Sequence, residues 1–561
     1  MRKIRVMLAV ALALAAVGVG ATPASPSESE SSPGAPAPSV GPLKPKVTEA
    51  VAFAETPPLS KMPPLVRQGP VFTDPGERGS GPVAQRGHQP DGALQSGAAS
   101  SMPAPLFTFE GPSNADNADI FGFRVNPPDP VGDVGMNHYV AMVNLNFAVY
   151  SKQGDLQFGP VDIGTLWQGF EVEDCTDPSG DPIVIYDEIA NRWVLTQFTT
   201  RFDTGQFFNC VAVSQTQDPT GAYFLYAFST GANFPDFPKY GLWPDAYYIT
   251  TREFAPDNSE SIGIYAVDRR QMITGKPEPR MVSFQLTEPS YLVGDGLLPA
   301  DLDGKRMPPS GSPEYLVGTM DDGAFDRAPF DGLNFFEADV DWAKPEQSTF
   351  TLTKQVPIAP YDTIFPCGPT SRDCIPQPGI TDPAQFLDIL SYRQRPVWRF
   401  AYRNFGTHES LVTNQSVEAR PGIAGMRWWE IRNPSDPVLH QEGTWSPDDG
   451  IHRWMGSIAM DKQGNAALGY SVSNATDVFP GIRYAGRLAS DPLGELAQGE
   501  AVLQDGSGSQ LTTNSRWGDY TSMNVDPKDG CTFYYINEYY EQTELVAWQT
   551  RVGAFRFPGC T

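Results

Sequence analysis

From about Leu106 onward, apolar residues come in short runs rich in Val, Ile, Tyr and Phe, separated by turns of Gly, Pro, Asp and Asn, with hardly any helical periodicity. One arrangement recurs: a Gly- or Pro-containing turn, a single aspartate, then a strand. It occurs at Gly132-Asp133 before Val134 to Val143, Gly180-Asp181 before Ile183 to Tyr186, Pro244-Asp245 before Ala246 to Ile249, and Gly518-Asp519 before Tyr520 to Val525. A period of roughly 45–65 residues built from strands is what radially repeated four-stranded sheets produce. The pattern predicts an all-β chain folded as a closed β-propeller in one large domain, residues 106–561.

The second repeat shows the grammar best. Ile183 to Asp187 and Arg192 to Phe198 flank the turn Glu188-Ile189-Ala190-Asn191, and Cys210 to Ser214 and Tyr223 to Phe228 flank Asp218-Pro219-Thr220-Gly221. Further units are expected to begin at Asp133, at Pro244-Asp245, near Asp301, at Val397, at Ile458 and at Tyr520, which makes seven blades. Residues 342–396 read as an insertion, so six or eight blades stay open. A pair of β-sandwiches is the structural alternative, disfavoured by continuous short repeats without a mid-chain linker.

The first residues change the picture of where the chain works. Arg2, Lys3 and Arg5 precede an apolar run, Val6 to Val19, that is too short to span a bilayer, and Val19-Gly20-Ala21 offers small residues for cleavage. Residues 1–21 therefore read as a signal peptide, and the mature protein as secreted. Residues 22–105, dominated by Pro, Ser, Ala and Gly, read as a disordered spacer with too little apolar surface to offset its ordering entropy. The formal net charge of -26 becomes -29 once Arg2, Lys3 and Arg5 are lost. So acidic a surface repels phosphate backbones and anionic headgroups, which argues against nucleic-acid or membrane-surface binding, and once the signal peptide is removed no membrane insertion is expected. It leaves carboxylates to spare for a hard cation, and Ca²⁺ is the one cofactor the sequence suggests.

Six cysteines, an even number in an exported chain, favour disulfides, with Cys175–Cys210, Cys367–Cys374 and Cys531–Cys560 as the simplest pairing among fifteen. Five scattered histidines and the lack of Cys-x-x-Cys argue against zinc. The chain also lacks a Gly-x-Ser-x-Gly elbow, His-Glu-x-x-His and a phosphate-cradling Gly-rich loop.

The stretches Pro128-Asp129-Pro130-Val131-Gly132-Asp133-Val134-Gly135, Gly180-Asp181-Pro182-Ile183-Val184-Ile185-Tyr186-Asp187 and Arg516-Trp517-Gly518-Asp519-Tyr520 resemble an uncharacterised family of secreted bacterial β-propeller-type proteins, distantly sialidase-like. Sialidase-like propellers carry Asp boxes. Ser446-Pro447-Asp448-Asp449-Gly450 begins like one, but His452 stands where Thr belongs and Trp454 comes one residue late. The resemblance implies fold and export rather than chemistry. A sialidase-like site needs an arginine cluster, a tyrosine activated by a glutamate and an acid/base aspartate. Arg192, Arg252, Arg399, Arg403 and Arg516 with Tyr402, Glu188 and Asp181 can be cast in those parts.

The recurrent aspartates have two readings. Each caps its own turn, or radial closure brings them to one mouth of a central funnel. In the second reading Asp133, Asp181, Asp245, His408 and Asp519 form a ligand site, and Asp133, Asp181, Asp245 and Asp519 are candidate metal ligands. Two function classes follow: a secreted propeller binding an extracellular glycan, peptide or surface protein at its funnel mouth, or a sialidase-like glycoside hydrolase.

Overall fold

Ile183–Asp187, Arg192–Phe198, Phe207–Ser214 and Tyr223–Gly231 form an antiparallel meander, each strand hydrogen-bonded to the next. Ile183 to Asp187 are all buried, so the usual alternation of apolar and polar positions gives way to a continuous run, as in a sheet covered on both faces. The computed structural model describes residues 40–67, 89–95, 97, 100–287, 290–324, 328–363, 373–389, 395–512 and 514–560.

Nearly all regular structure among these residues is β, with α-helix only at Asn114–Phe121 and Arg269–Met272. Six further meanders follow the same plan. The first runs from Val131–Val134 to Leu156–Asp162, the third from Phe234–Leu242 to Arg280–Leu286, and the fourth from Leu298–Asp303 to Thr349–Pro357. The fifth runs from Val397–Asn404 to Val438–Trp445 and the sixth from His452–Met460 to Glu500–Gln504. The seventh takes Ser522–Val525, Phe533–Tyr539 and Gln549–Phe555 from the C-terminal end and its outer strand, Phe107–Glu110, from far upstream.

The first strand of each meander packs on the first strand of the next, and Ser522–Val525 packs back on Val131–Val134. Between the fourth and fifth the contact becomes a true parallel ladder, Ala300 to Asp303 against Phe400 to Arg403, which fuses two meanders into one eight-stranded sheet. Side chains tie other first strands together. The Tyr186 N–H donates to Asp133 at 2.6 Å, the Leu242 N–H to Asp301 at 3.0 Å, and the Met523 N–H to the Ser457 hydroxyl at 3.0 Å.

Three expectations need correction. The third unit begins one strand earlier than Asp245: its first strand is Phe234–Leu242, whose Pro235, Pro238 and Gly241 hide it from propensity. The fifth first strand likewise ends before His408. In an antiparallel meander an offset of one strand moves a residue to the opposite end of the sheet, and that displaces both residues from the expected mouth.

The stretch read as an unpacked spacer is also structured wherever it is described. Lys46–Glu49 adds to Arg280–Leu286 and Ala52–Glu55 to Tyr223–Gly231 as outer strands. Leu43 bridges to Phe350 and Leu94 to Thr444, while the Pro103 carbonyl accepts the Tyr484 hydroxyl. The segment thus runs along the outer edges of several sheets. Edge pairing asks for backbone hydrogen bonds rather than apolar side chains, so composition did not announce it. The signal-peptide residues 1–21 lie outside the described residues.

Cys175–Cys210 and Cys531–Cys560 are disulfides, as expected of an extracellular protein; Cys367 lies outside the described residues, so the Cys367–Cys374 expectation does too. No described helix is long and apolar enough to cross a membrane.

Candidate functional site

Five of the seven first strands enter their sheets irregularly. Asp129 and Asp181, just before the first two of them, hold φ of 47° and 44°, and Phe237 and Met455, inside the third and sixth, hold 52° and 53°. The ladders of the third, fifth and sixth slip beside them, at Asp236/Lys239, Val397/Ala401 and Trp454/Ser457. Left-handed backbone at non-glycine residues costs on the order of 1–3 kcal/mol each and persists only where the surroundings enforce it. Such bulges re-aim side chains, and these crowd charged groups of several sheets together.

Asn144 is the hinge of the cluster. Its amide donates to Asp129 at 2.7 Å while its carbonyl oxygen accepts the Asp181 N–H at 2.9 Å, a contact made possible by Gly180 at φ 109°. Asp129 in turn accepts the Asp519 N–H at 2.6 Å, and Asp181 accepts the Tyr520 hydroxyl at 2.8 Å. Onto Asp519 converge two arginines, Arg516 at 2.8 Å and Arg395 at 3.4 Å. The Lys239 ammonium lies 3.0 Å from the Phe237 ring centroid and 3.6 Å from that of Tyr520, with Arg395 over Phe237 at 3.5 Å. Asp236 stands cross-strand from Arg252, which pairs with Glu260 at 2.9 Å and Asp295 at 3.8 Å.

Burial dominates the electrostatics. It pushes the Asp129 carboxyl up to about 6, helped by Asp519 and opposed by Arg516. It pushes Glu538, which accepts the Gly518 N–H at 2.6 Å, well above the usual carboxylate range, and raises Asp236 against the pull of Arg252 and Arg395. Burial, with Arg395 next, holds Lys239 well below an ordinary lysine although Asp181, Asp519 and Asp129 oppose it. The result is a dense mixture of donors and acceptors with few spare charges of either sign.

Of the residues singled out in the sequence, Asp181 and Asp519 belong to this cluster. Asp133 lies farther along its strand, bonded to the Tyr186 and Val134 N–H groups and close to Arg399, whose guanidinium reaches Asp301 and Asp303 at 2.6 Å each. Asp245 lies in the loop after the third first strand, accepting the Trp342 indole N–H at 2.8 Å and the Tyr248 hydroxyl at 3.2 Å. His408 caps the hairpin after the fifth first strand, stacked on Phe405. The four proposed metal carboxylates therefore do not gather around one point, and arginines and a lysine stand where a cation would have to go. Among the described residues the carboxylates close enough to share an ion are Asp321, Asp322 and Asp331, and both oxygens of Asp321 and of Asp331 already accept backbone N–H groups.

The sialidase-like casting is also dispersed. Arg192 bonds the carbonyls of its own turn, Arg399 serves Asp301 and Asp303, and Tyr402 donates to Glu409 at 2.5 Å. Arg252 and Arg516 do reach the cluster. Asp129, Asp236, Lys239 and Arg395 were missed because isolated charged residues in loops and bulges carry no spacing signature, and Glu538 because a lone acid inside the strand Phe533–Tyr539 carries none either. Asp129, inside a quoted motif and flanked by two prolines, was the one within reach.

No protein-family model matches the chain and no curated protein matches it. Solved structures that align with it include an α-L-arabinanase of Penicillium chrysogenum complexed with arabinobiose, at 11% identity over 58% of this chain and 94% of that one, with a TM-score of 0.30. An α-L-arabinofuranosidase of Fusarium graminearum aligns at 9% identity, covering 59% and 99%, with a TM-score of 0.28. An endo-arabinanase of Bacillus licheniformis aligns at 11%, covering 55% and 96%, with a TM-score of 0.25. Similarity at that level decides neither fold nor activity.

Proposed function

We propose that the chain is a secreted, closed seven-bladed β-propeller that binds a neutral, hydroxyl-rich ligand, a glycan, at the end of the ring where its innermost strands begin. One observation carries the reading: charged and aromatic groups of the first, second, third, fifth and seventh meanders meet there, with Asp129, Asp181 and Asp519 against Lys239, Arg395 and Arg516. Sugars need acceptors and donors side by side, and near-balanced charge disfavours strongly anionic or cationic ligands. The seven first strands packing in a cycle support closure.

A hydrolase reading has its own support, since Tyr520 donates to a carboxylate beside Arg395 and Arg516. The Tyr520 side chain is fully buried, however, and burial with Asp181 drives its phenol well above the ordinary range, the opposite of nucleophile activation.

The test is a glycan array probed with the mature protein and with Arg395→Gln and Asp181→Asn, together with a sugar-release assay on the bound glycans. Retention of one glycan class by the wild type, lost in both variants and without release of sugar, is expected. Equal retention by all three removes the mouth as the site, and release of sugar establishes the hydrolase.

A further inference from the structure

At the other end of the meanders, the loops that follow the first strands enclose a cleft of about 440 Å³ between the third and fourth units. That is within the range of small-ligand sites, roughly 300–1,000 Å³. One wall is Trp342, a half-buried indole fixed from two sides. Its N–H donates to Asp245 at 2.8 Å, and its carbonyl accepts from Arg280 at 2.6 Å while that guanidinium lies 5.4 Å from the ring centroid. Opposite stands the loop from Met307 to Pro313, whose prolines offer apolar surface and whose Ser312 carbonyl accepts the Trp243 indole N–H at 3.3 Å.

Only part of the polar lining is paired within the cleft. Asp245 uses one carboxylate oxygen for both Trp342 and Tyr248. Asp339 and Arg270 are exposed, and among the described residues neither side chain makes a hydrogen bond or ion pair; the Arg270 carbonyl accepts the Thr274 hydroxyl at 3.0 Å. A fixed aromatic plane, two carboxylates and a guanidinium around a cavity of this size match what a sugar ring presents: a C–H face to stack and vicinal hydroxyls that both give and take hydrogen bonds. The lining's slight negative balance disfavours phosphorylated or sialylated ligands.

We infer that this cleft is a second saccharide site, with Trp342 as the stacking face and Asp245, Asp339 and Arg270 as the hydroxyl-binding groups. It lies at the end of the meanders opposite the mouth, because Trp243 to Asp245 follow a first strand whereas Asp129, Asp181 and Asp519 precede theirs. It does not depend on the mouth binding anything.

Saturation-transfer NMR on the full mature chain with the methyl glycosides of glucose, galactose, xylose and N-acetylglucosamine, each at millimolar concentration, tests it. Transfer to at least one ring is expected in the wild type and in Arg395→Gln, with affinity about tenfold weaker in Trp342→Ala and in Arg270→Ala. Arg270 is exposed and its side chain makes no hydrogen bond or ion pair among the described residues, so Arg270→Ala keeps the test valid if Trp342→Ala fails to fold. Absence of transfer to all four sugars, or transfer unchanged in Arg270→Ala and in a folded Trp342→Ala, overturns the site. Transfer lost in Arg395→Gln alone assigns the binding to the mouth instead and also overturns it.

Discussion

Arg427, in the middle of the fifth meander, and Asp91, from the stretch that precedes the first, meet at 3.1 Å with neither side chain touching solvent. The Thr444 hydroxyl donates to the same aspartate at 2.8 Å, and Arg427 also reaches Glu442 at 2.9 Å. A pair so buried is costly to leave half-made, so Asp91→Ala is expected to destabilise the protein by about 3–5 kcal/mol. Gln89→Ala, which removes a single contact to the half-buried Asp322, should cost about 1 kcal/mol or less. Denaturant unfolding of the two variants checks this, and equal small losses would mean that the N-terminal strap merely lies on the surface.

The seventh meander joins two stretches far apart in the chain, with Phe107–Glu110 paired to Gln549–Phe555 and Cys531–Cys560 locking the C-terminal segment beside it. Closing a loop of this length is worth about 3–4 kcal/mol in the chain-entropy account. Replacing both cysteines by serine should lower stability by that amount. If the ring closes through this sheet, amide exchange should quicken first in Phe107–Glu110 and Gln549–Phe555. Hydrogen-exchange mass spectrometry reads the outcome, and exchange quickening evenly over all sheets would contradict a local closure.

How far the sequence carried depended on how each strand signals itself. Ile183–Asp187 and Arg192–Phe198 were legible to the residue because β-branched runs flank a polar turn. Phe234–Leu242 was not, since its two prolines argue against a strand although a bulged inner strand tolerates them. That one omission placed Asp245 at the wrong end of its sheet. Asp181 and Asp519 were found because a turn aspartate before a strand is a local pattern. Lys239 and Arg395 come together only through bulges and the packing of the third meander's first strand beside the entry to the fifth, which no local pattern records. Lys46–Glu49 and Ala52–Glu55 were hidden because an added edge strand needs little more than free N–H and C=O groups on its neighbour.

Arg399 holds Asp301 and Asp303 at 2.6 Å and donates to the Met523 carbonyl at 3.2 Å, tying the first strands of the fourth, fifth and seventh meanders. Burial raises the carboxyls of Asp301 and Asp133, and Arg399 is the largest influence lowering both. In Arg399→Met those carboxyls rise further in the folded state. A raised carboxyl contributes most below its unfolded value near 4 and loses that contribution as pH climbs through its folded value. The variant should therefore lose about 3–5 kcal/mol at neutral pH and visibly less at pH 5. Urea unfolding at the two pH values decides it; a loss independent of pH would assign Arg399 to packing alone.

Asp129 supplies the sharpest test of the mouth's electrostatics. Its carboxyl is pushed up to about 6 by burial and by Asp519, while it accepts hydrogen bonds from the Asp519 N–H and from Asn144. Because the folded value is raised from 3.8, its contribution to stability is fully present below pH 3.8, falls as pH rises toward about 6, and is constant above that. Asp129→Asn removes the titration while its amide oxygen still accepts one of those hydrogen bonds. The stability of the variant relative to wild type should thus improve with rising pH across that window, by about 2–3 kcal/mol in total, and then level off. Melting curves from pH 4 to pH 8 measure the difference directly. A flat difference would show that Asp129 is ionised throughout, which would make the mouth more acidic than proposed and favour a cationic ligand over a neutral glycan.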